Sequence, residues 1–299
     1  MAVWEHHNWN GHDCAFRVEG DPARGAEPLL TIHPIGVGLS GAFWRRFDAE
    51  WDRRGHGRAR VHPDLLGCGA SAMPRQPIRP ADWADQLAAL VQERIRRPVL
   101  LLVQGASLPI AIELQAQLPE AIRGMVLAGP PSWRVMTDPA RPRLSQALWH
   151  GFFATPAGNL FYRYARTRRF LRSFSERELF DDPAAVDEEW LAMLQDGARD
   201  PASRHAVFSF LAGFWRRDWG PRLVTLNCPV LALFGEHASG ISRSGRRDTP
   251  QRKLADYTSH LPDVSGRLLP GRNVLPWEAP GPFVEAVMEW ISRLPAAGR

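Results

Sequence analysis

Residues 99–112 read VLLLVQGASLPIAI. The run VLLLVQ is apolar at nearly every position, which marks a strand covered on both faces, as at the centre of a parallel sheet. It stops at Gly105, passes Ala106 and Ser107, and continues as SLPIAIELQAQL at 107–118, apolar on almost every side and so a buried helix. A serine on a short strand-to-helix turn, between small neighbours, suits nucleophilic attack, provided that a base takes its proton. This stretch therefore decides the fold and poses the functional question of where that base would come from.

Working outward, PLLTIHPIG at 28–36, ARVHPDLLGCG at 59–69, RGMVLAGPP at 123–131, CPVLALFGE at 228–236 and SGRLLPG at 265–271 read as further strands. VWEHHNWNGHDCAFRV at 3–18 reads as a hairpin turning at Asn10-Gly11. DWADQLAALVQERIRR at 82–97 and PGPFVEAVMEWISRL at 280–294 have the spacing of amphipathic helices. Alternating strands and helices predict an α/β fold, a mostly parallel, doubly wound sheet. Between 132 and 220 the strand-like runs vanish, and this window holds 16 of the chain's 29 aromatic residues. It is expected to be a helical cap over the carboxyl edge of the sheet, where ligands bind in such folds. The core would then be 1–131 and 221–299.

Hydrophobic content of 44% and charged content of 23% suit a globular protein and exclude a disordered one. No run approaches the roughly 18 apolar residues of a membrane span, and the first residues, MAVWEHHNWNGHD, lack the pattern of a signal peptide. Cys14, Cys68 and Cys228 are far apart and match no zinc or haem spacing. They are expected to be reduced and buried, in a cytoplasmic protein without metal or cofactor. The net charge of +5 rests on arginine, Lys253 being the only lysine. In FYRYARTRRFLRSF at 161–174, Arg163, Arg166, Arg169 and Arg172 recur every three residues, close to one helix face. A solvated face is the ordinary meaning; contact with an anionic partner or a membrane surface is the sharper one. Nothing resembles a nucleic-acid motif.

Four stretches, in order, carry a resemblance to the α/β-hydrolase superfamily over nearly the whole chain. Ile32-His33-Pro34-Ile35-Gly36 resembles the family's oxyanion loop. Pro63-Asp64-Leu65-Leu66-Gly67-Cys68-Gly69 resembles its D-x-x-G-x-G turn. Gly105-Ala106-Ser107-Leu108-Pro109 resembles the nucleophile elbow G-x-S-x-G, with proline in place of the last glycine. Gly271-Arg272-Asn273 with Glu278-Ala279-Pro280 resembles the region that carries the catalytic histidine. The overall character is similar to α/β-hydrolase-like proteins of cyanobacteria and chloroplasts, including chlorophyll-dephytylating esterases.

The resemblance implies Ser107 as nucleophile, its Oγ facing the cap, with oxyanion donors at the amides of Leu108 and Ile35. It also implies a histidine where this chain has Asn273, and an acid where it has Ala238. Asparagine cannot take a proton near neutral pH. His237, at the end of CPVLALFGEH, is the one substitute base on the right edge of the sheet. His33 opens the oxyanion loop, and with Trp133, Trp149, Phe152, Phe153, Phe214 and Trp215 it is a candidate for lining an apolar substrate site. For most of these aromatics, packing as the cap's own core is the plainer role. The leading expectation is a serine hydrolase of an ester with a large apolar portion, using a non-standard or missing base. The alternatives are a catalytically silent member that binds an apolar ligand or a protein partner, and a cofactor-free lyase or isomerase on the same fold.

Overall fold

The computed structural model describes residues 4–139, 141–240 and 248–295. Eight strands, β1 (Trp4–Trp9), β2 (His12–Glu19), β3 (Leu29–Ile32), β4 (Arg60–Pro63), β5 (Val99–Gln104), β6 (Ile122–Ala128), β7 (Val230–Gly235) and β8 (Val264–Leu269), form one sheet. Their order is β1-β2-β4-β3-β5-β6-β7-β8. The β1–β2 and β2–β4 pairs are antiparallel and the rest are parallel. The hairpin turns at Asn10 and Gly11, with φ of 50° and 79°; that pair suits two successive left-handed residues.

All six residues of β5 are buried. Successive side chains of a strand point to opposite faces. Val99, Leu101 and Val103 therefore pack with Leu30, Ile32, Met125 and Leu127, under α2 (Pro80–Leu90) and α3 (Leu108–Gln117). Leu100 and Leu102 join Leu29, Val126 and Leu231 on the other face. That face is covered by Phe47 and Trp51 of α1 (Arg45–Arg53) and by Phe283, Val284 and Val287 of the C-terminal helix Pro280–Arg293. Strand 59–69 ends earlier than expected, at Pro63, because buried Asp64 accepts from the amides of Gly41 and Ala70 at 2.7 Å each and bends the chain away. Helix 82–97 begins at Pro80, and its last turn, Val91–Ile95, widens before Arg96 ends it at φ 56°.

Between β6 and β7 every described element is helical. These are α4 (Trp133–Met136), α5 (Pro142–Leu148) with the wide turn Trp149–Phe153, α6 (Pro156–Ala165), α7 (Arg168–Phe174) with the wide turn Ser175–Leu179, α8 (Glu188–Gly197), α9 (Arg204–Leu211) and α10 (Gly220–Leu223). Two glycine contacts seat this segment on the loops that leave the sheet. A Cβ on Gly38 would meet the Leu194 carbonyl oxygen at 1.9 Å, and one on Gly197 would meet the Gly38 oxygen at 2.2 Å. A Cβ on Gly67 would meet the Ala206 side chain at 2.7 Å. At Gly38 and Gly197 backbone lies directly on backbone, which only glycine permits.

Candidate active site

The carboxyl ends of β3, β5, β6, β7 and β8 converge on one edge of the sheet. β5 ends at Gln104, and residues 105–107 form a single tight turn into α3. Within 104–108 one residue is left-handed, Gly105, at φ 59°. A Cβ built on it would meet only the Gly129 oxygen, at 4.0 Å. Ser107 lies two residues on, in ordinary right-handed conformation at φ −82°, ψ −1°. A nucleophile elbow is a strained turn that lifts one side chain clear of the sheet. In this chain the strained, uncrowded position belongs to Gly105.

Ser107 is fully buried. Its Oγ donates to the main-chain oxygen of His33 at 2.8 Å, so it faces the loop after β3 and not the helical segment, as had been expected. Of the two expected oxyanion donors, the Leu108 amide is engaged, donating to the Gly105 oxygen to close the turn. Ile35 is half-buried beside that loop. The first amides of such a turn have no partner within it; here they belong to Gly105 and Ala106.

His33 is also fully buried. Its Nε2 accepts from the Leu65 amide at 3.0 Å, which leaves Nδ1 protonated to donate to the Pro34 oxygen at 2.9 Å. Burial pushes its pKa down to about 4, so the ring is neutral and braces two loops rather than facing a substrate. Neighbouring Asp64 is pushed up to about 6 by burial, opposed by its two amide donors.

Asn273 occupies the expected base position in the chain, but its side chain is a tie. Nδ2 donates to the main-chain oxygens of Glu178 at 2.6 Å and Ser239 at 3.0 Å. Its main-chain oxygen accepts from Gln104 Nε2 at 2.7 Å, and its main-chain amide donates to the Leu179 oxygen at 3.0 Å. Arg272 donates to Ser239 Oγ from Nε at 3.0 Å and Nη2 at 2.7 Å, and to the oxygens of Arg177 and Phe180. Glu278 accepts the amides of Arg272 at 2.8 Å and Asp181 at 2.5 Å, and burial raises its pKa against those bonds. Segment 177–181 is thus stitched to the loop after β8 by side chains at and beside the base and acid positions. His237 lies at the exposed rim of this network, its amide donating to the Gly271 oxygen at 3.1 Å and its Nδ1 2.9 Å from Asp181 Oδ2, with both side chains exposed.

The aromatic candidates divide three ways. Trp149, Phe153 and Phe214 pack with Tyr162, Val207 and Phe208 as the helical segment's own core. Trp133 stacks on His260, with centroids 4.5 Å apart, and Trp215 on Phe210 at 5.3 Å. Phe152 is exposed. A cleft of about 300 Å³ lies between β2, β4 and Arg94, and one of about 150 Å³ lies at the amino edge of the sheet beside Glu27 and Pro229. Neither is lined by Gly105, Ser107, Asn273 or these aromatics.

The strand order, the elbow-like turn and the D-x-x-G-x-G bend are now all placed. A model of the alpha/beta hydrolase family matches residues 29–286. The chain belongs to the α/β-hydrolase family. Solved structures agree on the fold. A serine hydrolase involved in carbazole degradation is 16% identical, with 98% of this chain and 99% of that chain covered and a TM-score of 0.75. A thermophilic esterase from Thermogutta terrifontis is 17% identical, covering 98% and 99%, with a TM-score of 0.71. The epoxide hydrolase CorEH is 18% identical, covering 99% and 100%, with a TM-score of 0.73. No curated protein matches the sequence significantly. In this α/β-hydrolase the three cysteines are free and buried, and burial pushes the Cys14 and Cys228 thiols up to about 12. Among the described residues no group of metal-binding side chains occurs, and no helix is long and apolar enough to cross a membrane. Part of the loop at 239–253, residues 241–247, lies outside the described residues.

Gly105 is the site residue that sequence reasoning missed. The signal was available in Pro109, the misfit in G-x-S-x-G. Moving the frame back two residues, to Val103-Gln104-Gly105-Ala106-Ser107, puts its centre directly after the strand and removes the proline from it.

Proposed function

We propose that this α/β-hydrolase is catalytically silent toward esters and works by binding. The observation that carries the reading is the left-handed turn residue, Gly105, which has no side-chain atom to attack with. The hydroxyl two residues on is committed to the His33 carbonyl. Asn273, at the base position, is committed to the oxygens of Glu178 and Ser239, and Arg272 beside it to those of Arg177 and Phe180, while the acid position is Ala238. Losing a triad base alone typically costs about 10⁴–10⁶ in turnover. Losing the nucleophile as well removes the acyl-enzyme route.

The esterase reading through Ser107, with His237 as base, would require two rearrangements. Ser107 would have to leave His33, and the exposed His237, with Asp181 at its Nδ1, would have to reach the fully buried hydroxyl. The esterase and epoxide hydrolase activities of the similar structures depend on each protein's own residues, and fold alone does not carry them across. Between an enclosed apolar ligand and a partner at the surface, the packing favours the surface. Of the aromatics expected to line a pocket, Trp149, Phe153 and Phe214 pack in the core of the helical segment, Trp133 and Trp215 pack against the core beneath the sheet's helices, and Phe152 is exposed.

Hydrolysis of p-nitrophenyl acetate and butyrate tests the reading. Turnover by the purified protein should not exceed that of the same protein after denaturation. Rates of ordinary enzymes, about 1 s⁻¹ or more, would overturn it. Gly105→Ser with Asn273→His and Ala238→Asp should then create measurable acylation, because the space beside Gly105 is open.

A further inference from the structure

The helical segment carries its charge unevenly. Residues 141–174 contain seven arginines and no aspartate or glutamate. Several arginines outside it meet carboxylates, as Arg53 and Arg54 meet Glu50 and as Arg60 meets Asp48 and Asp52. Within the segment, Arg168 and Arg172 reach forward to Glu188, and Arg166 donates to the carbonyls of Ala198 and Arg199. Arg141, Arg143, Arg163 and Arg169 are exposed, and among the described residues no carboxylate pairs with them.

The same helices expose apolar side chains. Leu144 (51% exposed), Leu148 (38%), Phe152 (38%), Leu160 (69%) and Tyr164 (61%) are five of the eight large apolar residues exposed among those described. Leu144, Leu148 and Phe152 recur every four residues along α5 and its wide last turn, and Leu160 and Tyr164 do so on α6. Such residues share a helix face. Phe152 and Phe161 bring the two stripes together, with ring centroids 6.0 Å apart. Tyr164 continues onto Phe170 at 5.2 Å, and Phe170 onto Phe174 at 6.1 Å.

We propose that the α5–α7 face of this protein docks on an anionic lipid surface. Two features select lipid over an acidic protein. The exposed apolar side chains recur about once per helix turn along an outward face, and the unpaired arginines flank them at both ends, Arg141 and Arg143 ahead of Leu144 and Arg163 and Arg169 on either side of Tyr164. A protein partner would need a matching pocket for each apolar side chain. The boundary between headgroups and acyl chains accepts leucine, phenylalanine and tyrosine wherever they stand, while arginines take the phosphates. Among the described residues no helix is long and apolar enough to cross a membrane, and the attachment proposed is peripheral. It does not depend on Gly105 or Asn273, and it stands whether or not the elbow is silent.

Vesicle sedimentation tests this with the full chain. Vesicles of phosphatidylcholine with roughly a third phosphatidylglycerol should pull the protein down at low salt, and pure phosphatidylcholine should not. Arg163→Glu with Arg169→Glu should weaken binding by about 25-fold or more, at about fivefold for each positive charge removed. Leu160→Asn with Tyr164→Ser keeps every charge and should weaken binding by about tenfold or more. All four positions are exposed, so the melting temperatures of both variants should match the parent and exclude misfolding as the cause. Absence of binding to the anionic vesicles would overturn the proposal. So would binding that the Leu160/Tyr164 variant retains in full, or equal affinity for heparin or an acidic protein, which would make the face a plain polyanion site.

Discussion

Removing the Ser107 hydroxyl separates a structural serine from a nucleophile. In Ser107→Ala the His33 carbonyl loses its donor at 2.8 Å, inside a site that water does not reach. A net hydrogen bond contributes about 1 kcal/mol, and an orphaned buried acceptor adds a comparable penalty, so the expected loss is about 1–2 kcal/mol. Unfolding entropy near 2.1 cal/mol/K per residue gives a chain of this length roughly 0.6 kcal/mol/K, so the melting temperature should fall by about 2–3 °C. The loop that opens with His33 also holds Leu65, so the loss should be felt as stability and not as chemistry. Differential scanning calorimetry reads the first quantity, and p-nitrophenyl ester turnover beside a denatured control reads the second. An unchanged melting temperature together with abolished ester turnover would refute the reasoning.

Four further outcomes follow from particular contacts. Gly197→Ala should cost about 2–3 kcal/mol, the range of backbone-limited overpacking, because its Cβ would meet the Gly38 oxygen at 2.2 Å; Gly151→Ala, with nothing within 4 Å, is the control, and calorimetry compares them. Asn273→Ala removes the side-chain tie to Glu178 in segment 177–181 and the one to Ser239 beside it, and should speed proteolysis of the segment severalfold without unfolding the sheet, as mapped by limited trypsin digestion, since local opening tracks the bonds that hold a segment. His205 is buried with neither ring nitrogen partnered, and burial, with Arg204 and Arg75, pushes its pKa down to about 4. The folded protein therefore binds fewer protons than the unfolded chain between about pH 6.5 and 4, and stability should fall as pH falls through that window; His205→Phe should flatten the drop in a melting-temperature titration. Gly105→Ala should lower stability by about 1–2 kcal/mol in a urea titration, from left-handed strain alone, because the added methyl meets nothing closer than 4.0 Å.

The sheet was legible in the sequence because burial on both faces leaves a strong pattern. VLLLVQ at 99–104 alternates between two packed layers, so every position must be apolar except the last, Gln104, which reaches Asn273. The hairpin was legible from Asn10-Gly11, and the helical segment from the loss of strand patterning after 131. The elbow was legible as a turn but not in its frame. Gly105, Ala106 and Ser107 are all small, and only backbone dihedrals separate the strained position from its neighbours. The asparagine at 273, where the resemblance implies a histidine, was legible. What its side chain holds was not. Asn273 and Arg272 bond mostly to main-chain oxygens, those of Glu178 and Ser239 standing 95 and 34 residues away from Asn273, and a carbonyl acceptor has no residue type to recognise. The aromatic window suggested a lined pocket because composition does not distinguish a ring facing a cavity from one facing another ring. Phe153 against Phe208, with centroids 4.6 Å apart, is the second kind.

The silent elbow is tested most directly by intact-protein mass spectrometry after exposure to a fluorophosphonate, with Gly105→Ser/Asn273→His beside the parent chain. The reagent adds a phosphonyl group only to an activated serine, so no turnover assay or substrate guess is involved. The account predicts no adduct on the parent chain, and an adduct on the double variant that maps to position 105. A stoichiometric adduct on the parent chain, mapped to Ser107, would contradict it.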